Sequence, residues 1–577
     1  MVSTRDVVAA LQELAALTTL EEESPQSFKV RAYENAISGI QGSGRDVTTM
    51  SKSELIALKG IGKSTADKIL QLVESGSIDK LESLREAYPP EFVRLSKIPG
   101  IGPKTLKLMR RELGIENLEQ LQAAIAAEKL RELPGLGKTS EEKIAKAIDR
   151  LGLHGKDQRT PISDAMPIAK RLVEALAELD GVSDVAYCGS LRRHSETIGD
   201  IDITVAGTEP QPVMDFIAGD QLAAEVIGHG ETKTSILTRE GLQIDVRVVA
   251  PEEFGAATMY FTGSKAHNIA MRQRAIDRSW LLNEYGLFDT ETEEIVARET
   301  EAEIYQAPGM QFVPPTVREN TGEIERAAVG ELPAFVTLAD IRGDLHYHTD
   351  RSGDGMSSPE DMIAAAVAFG YEYIAVTDHG VDLSINGSTA EEMLEHRDRL
   401  RTIQEDRPEV RILFGCELNI GPDGSLDYDD DFRREFEWNV ASVHSHFDLS
   451  AEEQTVRLIK AISDPTVNAI GHISGRYIGR RPGIEFDVDS VIEALRIADV
   501  GLEVNGALER LDAASDVIRQ AVRAGVRLVI STDSHHVSEL VRMEYGVRQA
   551  QRGWATARDV ANTMPFDDFL DWSRARR

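Results

Sequence analysis

At 577 residues the chain is too long for one hydrophobic core and should divide into several domains, roughly four. Its 41% hydrophobic and 28% charged content is that of a soluble globular protein, no apolar run approaches the roughly 20 residues that cross a bilayer, and "MVSTRDVVAALQELAAL" has no signal-peptide layout, so a cytoplasmic protein without membrane contact is expected. A net charge of −33 argues against indiscriminate coating of nucleic acid, and two distant cysteines, Cys188 and Cys416, exclude a disulfide framework or thiolate zinc site.

The first 150 residues read as helices, with apolar residues at three- and four-residue spacing in "RDVVAALQELAAL" and "LEQLQAAIAAEKLREL". One pattern recurs three times: "LKGIGKSTADKI" from Leu58, "IPGIGPKTLKLM" from Ile98 and "LPGLGKTSEEKI" from Leu133. Each places a Gly-x-Gly turn (Gly60 and Gly62, Gly100 and Gly102, Gly135 and Gly137) before a basic or proline-containing helix start. Such turns leave the first amides of the helix open to a phosphate oxygen, a grip on the backbone that ignores sequence. The three copies resemble helix-hairpin-helix DNA-binding motifs.

From about Pro161, short β-rich runs alternate with helices. In "CGSLRRHSETIGDIDITV", Asp200 and Asp202 alternate along a strand and so share one face, where two carboxylates repel unless a divalent cation lies between them. Asp245 in "LQIDVRVV" is the candidate third acid, and three carboxylates can hold two magnesium or manganese ions about 3.5 to 4 Å apart. Gly189 and Ser190 offer amide and hydroxyl donors and Arg193 a positive charge, which together suit a triphosphate. The alternative is a solvated strand end.

"GSLRR…GDID", "IDVR" and "YFTGSKAHNIAMR" closely resemble the family X DNA polymerases, and the resemblance runs from residue 1 to about 320. It implies Asp200, Asp202 and Asp245 as catalytic metal ligands, with Asp245 the base near the primer hydroxyl, and Gly189, Ser190 and Arg193 as triphosphate contacts. Tyr260 and Phe261 fall where the family packs the incoming sugar, and Asn268 and Arg272 where it checks the new base pair. Ile198 departs from a phosphate-binding serine of animal members, which should weaken nucleotide binding modestly. Lys68 falls on the family's lyase lysine, which attacks an abasic sugar as a free amine. Tyr33 and Lys29 also match there, whereas Ser64 replaces a phosphate-binding lysine; a surface lysine needs no catalytic explanation.

"QAPGMQFVPPTVRENTGEIERA" then reads as an extended linker. Beyond Asp340, strands again alternate with helices, as in an α/β barrel, where functional residues gather at strand C-terminal ends. The chain has only 13 histidines, yet most of those in this region follow apolar strands. Neutral imidazoles with bridging carboxylates suit zinc, manganese or iron. The spacing resembles the polymerase and histidinol phosphatase (PHP) domain, a distorted α/β barrel built around three metals. That resemblance implies nine ligands: His346, His348, Asp354, His379, Glu417, His444, His472, Asp533 and His535, with His446 and His536 as neighbours. Arg476, Arg480 and Arg481 in "SGRYIGRRPG" are either a DNA-facing patch or a solvated loop.

The expected architecture is therefore multidomain, α+β and α/β. It comprises helical regions at 1–85 and 86–155 and a nucleotidyltransferase-type palm with a mixed sheet at 156–258. A base-pair-binding subdomain at 259–318, a linker at 319–339 and a PHP barrel at 340–577 follow. The resemblance implies a monomeric repair polymerase using deoxynucleoside triphosphates on gapped or primer-template DNA, with a 3′-5′ exonuclease in the barrel. Abasic-site cleavage is a further family property. A phosphoesterase for small esters with a DNA-binding polymerase half is the alternative, and a non-catalytic scaffold the third.

Overall fold

The computed structural model describes residue 2 and residues 4–24, 27–43, 47–95, 101–151, 159–238, 241–383 and 386–575. The N-terminal region is helical. In the helix Thr4–Glu21, Val7, Leu11 and Leu14 recur on one face and are fully buried. One apolar cluster runs from Val7 to Ile144 and takes in both expected helical regions. Gly60 adopts φ +91°, and a Cβ there would meet the Asn35 carbonyl at 2.4 Å. Gly62 and Gly102 begin the helices Lys63–Ser75 and Pro103–Leu113 without any side-chain cap. Gly135 has φ +82°, and the space around Gly137 is open. Gly100 lies outside the described residues.

A central five-stranded sheet comprises β1 (Val182–Tyr187), β2 (Asp200–Gly207), β3 (Glu225–His229), β4 (Lys233–Leu237) and β5 (Gln243–Val249), in the order β1-β2-β5-β4-β3. Only β2 and β5 run parallel, so the sheet is mixed, as the resemblance implies. Ile201, Ile203 and Val205 point into the core formed with the helices Ile162–Ala177 and Pro210–Gly219, which leaves Asp200 and Asp202 on the opposite face. Ile198 is fully buried in the same core.

The 319–339 segment is not an extended linker. It contains the helix Glu323–Ala328, whose Ile324 and Ala327 are buried beside Val313 and Val317. Prolines 314 and 315 open a short helical turn here instead of an extended run. Polar groups are buried in pairs alongside: Arg318 forms an ion pair with Glu301 at 2.6 Å, and Glu323 is hydrogen-bonded to His267 Nδ1 at 2.7 Å.

The C-terminal region is a seven-stranded parallel sheet in sequence order: β6 (Gly343–Tyr347), β7 (Tyr373–Val376), β8 (Arg411–Asn419), β9 (Trp438–Ser442), β10 (Ala469–Ile470), β11 (Gly501–Asn505) and β12 (Leu528–Ser531). β6, β7, β9, β10, β11 and β12 are buried throughout, as expected of a parallel sheet covered on both faces. A parallel bridge from Tyr347 to Ser534 brings the last segment back to the first and nearly closes a barrel. The barrel packs directly on the central sheet: Leu508, Leu511 and Tyr545 enter the sheet's core, and Lys170 donates to the Tyr545 hydroxyl at 2.9 Å.

Candidate active sites

The barrel gathers all nine expected residues at one end. His346 and His348 alternate on β6, and Glu417 near the end of β8 reaches the middle of the cluster. Glu417 oxygens lie 3.5 Å from His346 Nε2, 3.5 Å from His348 Nε2, 2.9 Å from His379 Nδ1, 3.2 Å from His444 Nε2 and 2.9 Å from His472 Nε2. Asp533 approaches His348 Nε2 at 3.4 Å, while Asp354 lies 3.5 Å from His379 Nε2 and 3.6 Å from His535 Nε2.

Three groups have their donor atoms within 4.8 Å of one another: His348, His379 and His535; His346, His348 and Asp533; His379, Glu417 and His444. His346 Nε2, His348 Nε2, His379 Nδ1 and Glu417 Oε2 are buried and, although close to one another, make no hydrogen bond of good geometry. Orphaned donors of this kind are costly unless something binds them. Burial, with His535 and His379 beside it, pushes His348 down to about 4, whereas in His346, His379 and His535 neighbouring carboxylates outweigh burial and raise the imidazole, the mark of a site whose carboxylates call for positive charge. The donor set therefore fits divalent ions.

A supporting layer orients these ligands, and sequence reasoning missed most of it. Glu503 accepts from His346 Nδ1 at 2.5 Å, Asn419 Oδ1 meets His444 Nδ1 at 2.7 Å, and Asn505 donates to Asp533 at 3.0 Å. Arg510 Nε sits 3.5 Å from Asp533. Asp378, beside the ligand His379, is turned away and bonded to Thr349, Ser352 and His396. His446 and His536 stand outside the three donor groups.

On the central sheet, register sets Asp202 opposite Asp245 across the parallel β2–β5 pair. Gly189, at φ +61°, is what allows the Asp202 carboxylate in: a Cβ there would lie 2.6 Å from its Oδ2. Burial, with Asp200 and Asp245 adding like charge, pushes Asp202 up to about 7. Asp200 is raised for the same reasons. Burial acts on Asp245 too but is outweighed: Lys233 Nζ at 2.6 Å and Gln243 Nε2 at 2.9 Å hold its carboxyl below the usual range. These three carboxylates form no donor group as tight as those of the barrel. A shared register and a carboxyl that resists ionisation nevertheless fit a divalent cation, and the Lys233 ammonium already supplies Asp245 with positive charge.

Arg193 Nη1 donates to the Thr262 carbonyl at 2.6 Å and Nε lies 3.0 Å from Glu319, while Arg192 is paired with Glu301. Ser190 follows Gly189 in the four-residue helix Gly189–Arg192. Asn268 Nδ2 donates to the Tyr260 carbonyl at 2.7 Å, and Tyr260, Asn268 and Arg272 line one crevice with Leu282 and Asn283. Phe261 packs edge-on against Tyr260 and carries the Arg247 guanidinium 4.5 Å above its ring. In the N-terminal region, Lys68 Nζ reaches Ser64 Oγ at 2.8 Å and lies 5.8 Å from the Tyr33 ring, and burial lowers its pKa. Lys29 is instead paired with Glu22. Arg476 is bonded to Glu196 at 2.8 Å and to the Arg510 and Leu511 carbonyls.

Sequence comparisons match four stretches of the chain to family profiles. A helix-hairpin-helix domain profile matches residues 3–78, a SAM-like helix-hairpin-helix tandem 92–150, a DNA polymerase beta thumb 257–319 and a PHP domain 344–495. "DNA polymerase lambda" of Rattus norvegicus is 24% identical over 53% of this chain and 55% of its own. A "Probable phosphatase" of Acetivibrio thermocellus is 29% identical, with 40% of this chain covering 96% of it. The "DNA polymerase/3'-5' exonuclease PolX" of Bacillus subtilis is 36% identical over 98% of both chains. On that full-length match the chain belongs to the family X DNA polymerases that carry a C-terminal PHP domain.

Proposed function

We propose that this protein is a monomeric repair polymerase that adds deoxynucleotides to a primer 3′ end in short DNA gaps, and that its barrel removes nucleotides in the 3′-5′ direction. The observation that supports this reading is the presence, in one chain, of a buried cluster of imidazoles and carboxylates at the barrel end and a separate set of three carboxylates on the central sheet. Asp200, Asp202 and Asp245 would hold magnesium or manganese and the nine barrel residues three zinc, manganese or iron ions, which when bound stabilise charge on phosphoryl oxygens.

The chain's own groups do the rest. Asp245, kept ionised by Lys233 and Gln243, accepts the proton of the primer hydroxyl. The Gly189 amide, the Ser190 hydroxyl and Arg193 bind the triphosphate, with Arg193 exchanging Glu319 for phosphate. Tyr260 and Phe261 pack the sugar, and Asn268 and Arg272 meet the new base pair. The glycine turns at Gly60/Gly62, Gly100/Gly102 and Gly135/Gly137 grip the DNA backbone. In the barrel, Glu503 and Asn419 fix the imidazoles of His346 and His444. Lys68, lowered by burial, is the amine placed for a Schiff base with an abasic sugar, which borohydride trapping would capture.

The test is a 5′-labelled primer in a short gap, incubated with magnesium or manganese, with and without deoxynucleotides. Asp202→Ala should abolish extension and spare shortening, and His346→Ala should do the reverse. If neither reaction occurs while a small phosphate ester is hydrolysed, the small-ester phosphoesterase replaces this reading.

A further inference from the structure

The loop at residues 474–483 carries three arginines with different surroundings. Arg476 is spent on Glu196 of the central sheet's turn. Arg480 is exposed. Arg481 turns toward the barrel, its guanidinium 4.0 Å from the Phe447 ring centre and 4.7 Å from that of Tyr477. Arg510 lies 4.4 Å from the same Tyr477 ring, and its Nε is 3.5 Å from the metal-site residue Asp533. Phe447, Arg481, Tyr477 and Arg510 thus form one ladder that ends at the cluster.

Aromatic faces hold a guanidinium flat and leave its in-plane N–H groups to acceptors such as backbone carbonyls or phosphate oxygens; in Arg481 the Nε/Nη2 edge is taken and the Nη1 side is the one left for a phosphate. Arg481 donates from Nε and Nη2 to the Gly475 carbonyl, at 3.0 and 2.7 Å, and among the described residues it has no carboxylate partner. The ladder therefore presents two guanidiniums, of which Arg510 is held by Asp533 with Glu417 and Asp512 also acting on it, while Arg481 has no carboxylate partner among the described residues. It is also fixed in place. A Cβ on Gly479 would lie 2.7 Å from Pro161, Ile478 N donates to the Glu509 carbonyl at 2.7 Å, and Arg476 ties the loop to Glu196. A track built in advance loses little entropy when a strand binds.

We infer that Arg510 and Arg481 are positioning residues that bind successive backbone phosphates of one DNA strand entering the barrel, Arg510 at the phosphate being cut and Arg481 at the next. They thereby make the barrel prefer a strand to a small ester. This rests on the nuclease reading above. It also explains the loop's arginines by division of labour: one anchors the loop, one grips substrate.

The test compares the full-length wild type with Arg481→Ala and Arg481→Lys on a 5′-labelled single-stranded oligonucleotide and on bis(p-nitrophenyl) phosphate, a diester with no neighbouring phosphate. Arg481→Ala should raise the oligonucleotide KM roughly 10- to 100-fold with kcat within about twofold, and lower the oligonucleotide-to-diester ratio of kcat/KM by the same factor. The salt slope of log kcat/KM should fall by about 0.7, one single-strand phosphate contact. Arg481→Lys should recover part of the KM, having the charge without the plane. An Arg481→Ala protein with wild-type KM and salt slope, or one that loses both substrates equally, overturns the inference. If the wild type itself leaves the strand intact while cleaving the diester, the nuclease reading falls first and this inference with it.

Discussion

The central sheet and the barrel solve the same problem, holding carboxylates where cations bind, in opposite ways. In the barrel Glu417 and Asp533 are buried among imidazoles, and the donors point at one another with a supporting layer behind them. On the sheet, Asp200 sits at an exposed strand end, Asp202 resists ionisation, and Asp245 leans on Lys233. The difference predicts a barrel site that retains its ions without substrate and a sheet site that binds them more weakly. Burial makes the difference: burying charged groups without a partner is costly, whereas a more open carboxylate can stay partly protonated.

The sharpest way to break that contrast is Glu417→Gln. It should remove shortening by on the order of 1,000-fold or more and strip the barrel of ions, with extension within about twofold of wild type, as read from primer assays and metal analysis. Next in size, Glu503→Gln, which touches His346 and no expected substrate group, should cost about 10- to 100-fold in barrel metal affinity, measured by competition with a chelating dye. On the sheet the lever is pH. Asp202 is raised to about 7, and only its ionised form ligates, so extension at limiting magnesium should fall about tenfold for each unit below pH 7 and level off above it. The same shift means the metal-free fold loses stability as pH rises from the ordinary carboxyl range to about 7, and a bound ion restores it. Shortening should not follow this profile. Smallest of all, Lys233→Gln should move the acid limb of extension upward by less than about one unit, because Asp245 loses its largest favourable contact.

Much of both sites was legible because β-strands alternate. Asp200 with Asp202, and His346 with His348, declare a shared face in the sequence itself. Both cysteines are free and buried, in keeping with the absence of a disulfide framework read from their spacing. What escaped is non-local. Glu503 is one acid in an apolar strand, and its contact with His346 spans 157 positions. Arg476 looks no different from Arg481 in "SGRYIGRRPG", and only the packing of the barrel on the sheet turns it toward Glu196, 280 positions away. Proline content suggested an extended linker at 306–327, but Arg318 and Glu323 find buried partners and fold that segment into the core. Lys233 carries no spacing signal; its pairing with Asp245 follows from the antiparallel β4–β5 register.

The most direct measurement is the metal content, by inductively coupled plasma mass spectrometry, of the wild type, Asp202→Ala and His346→Ala proteins after long dialysis against metal-free buffer. Resident ions should remain in the wild type and in Asp202→Ala alike and be depleted in His346→Ala. Ions lost from all three proteins, or lost specifically with Asp202→Ala, would contradict the division into a filled barrel site and an open site on the sheet.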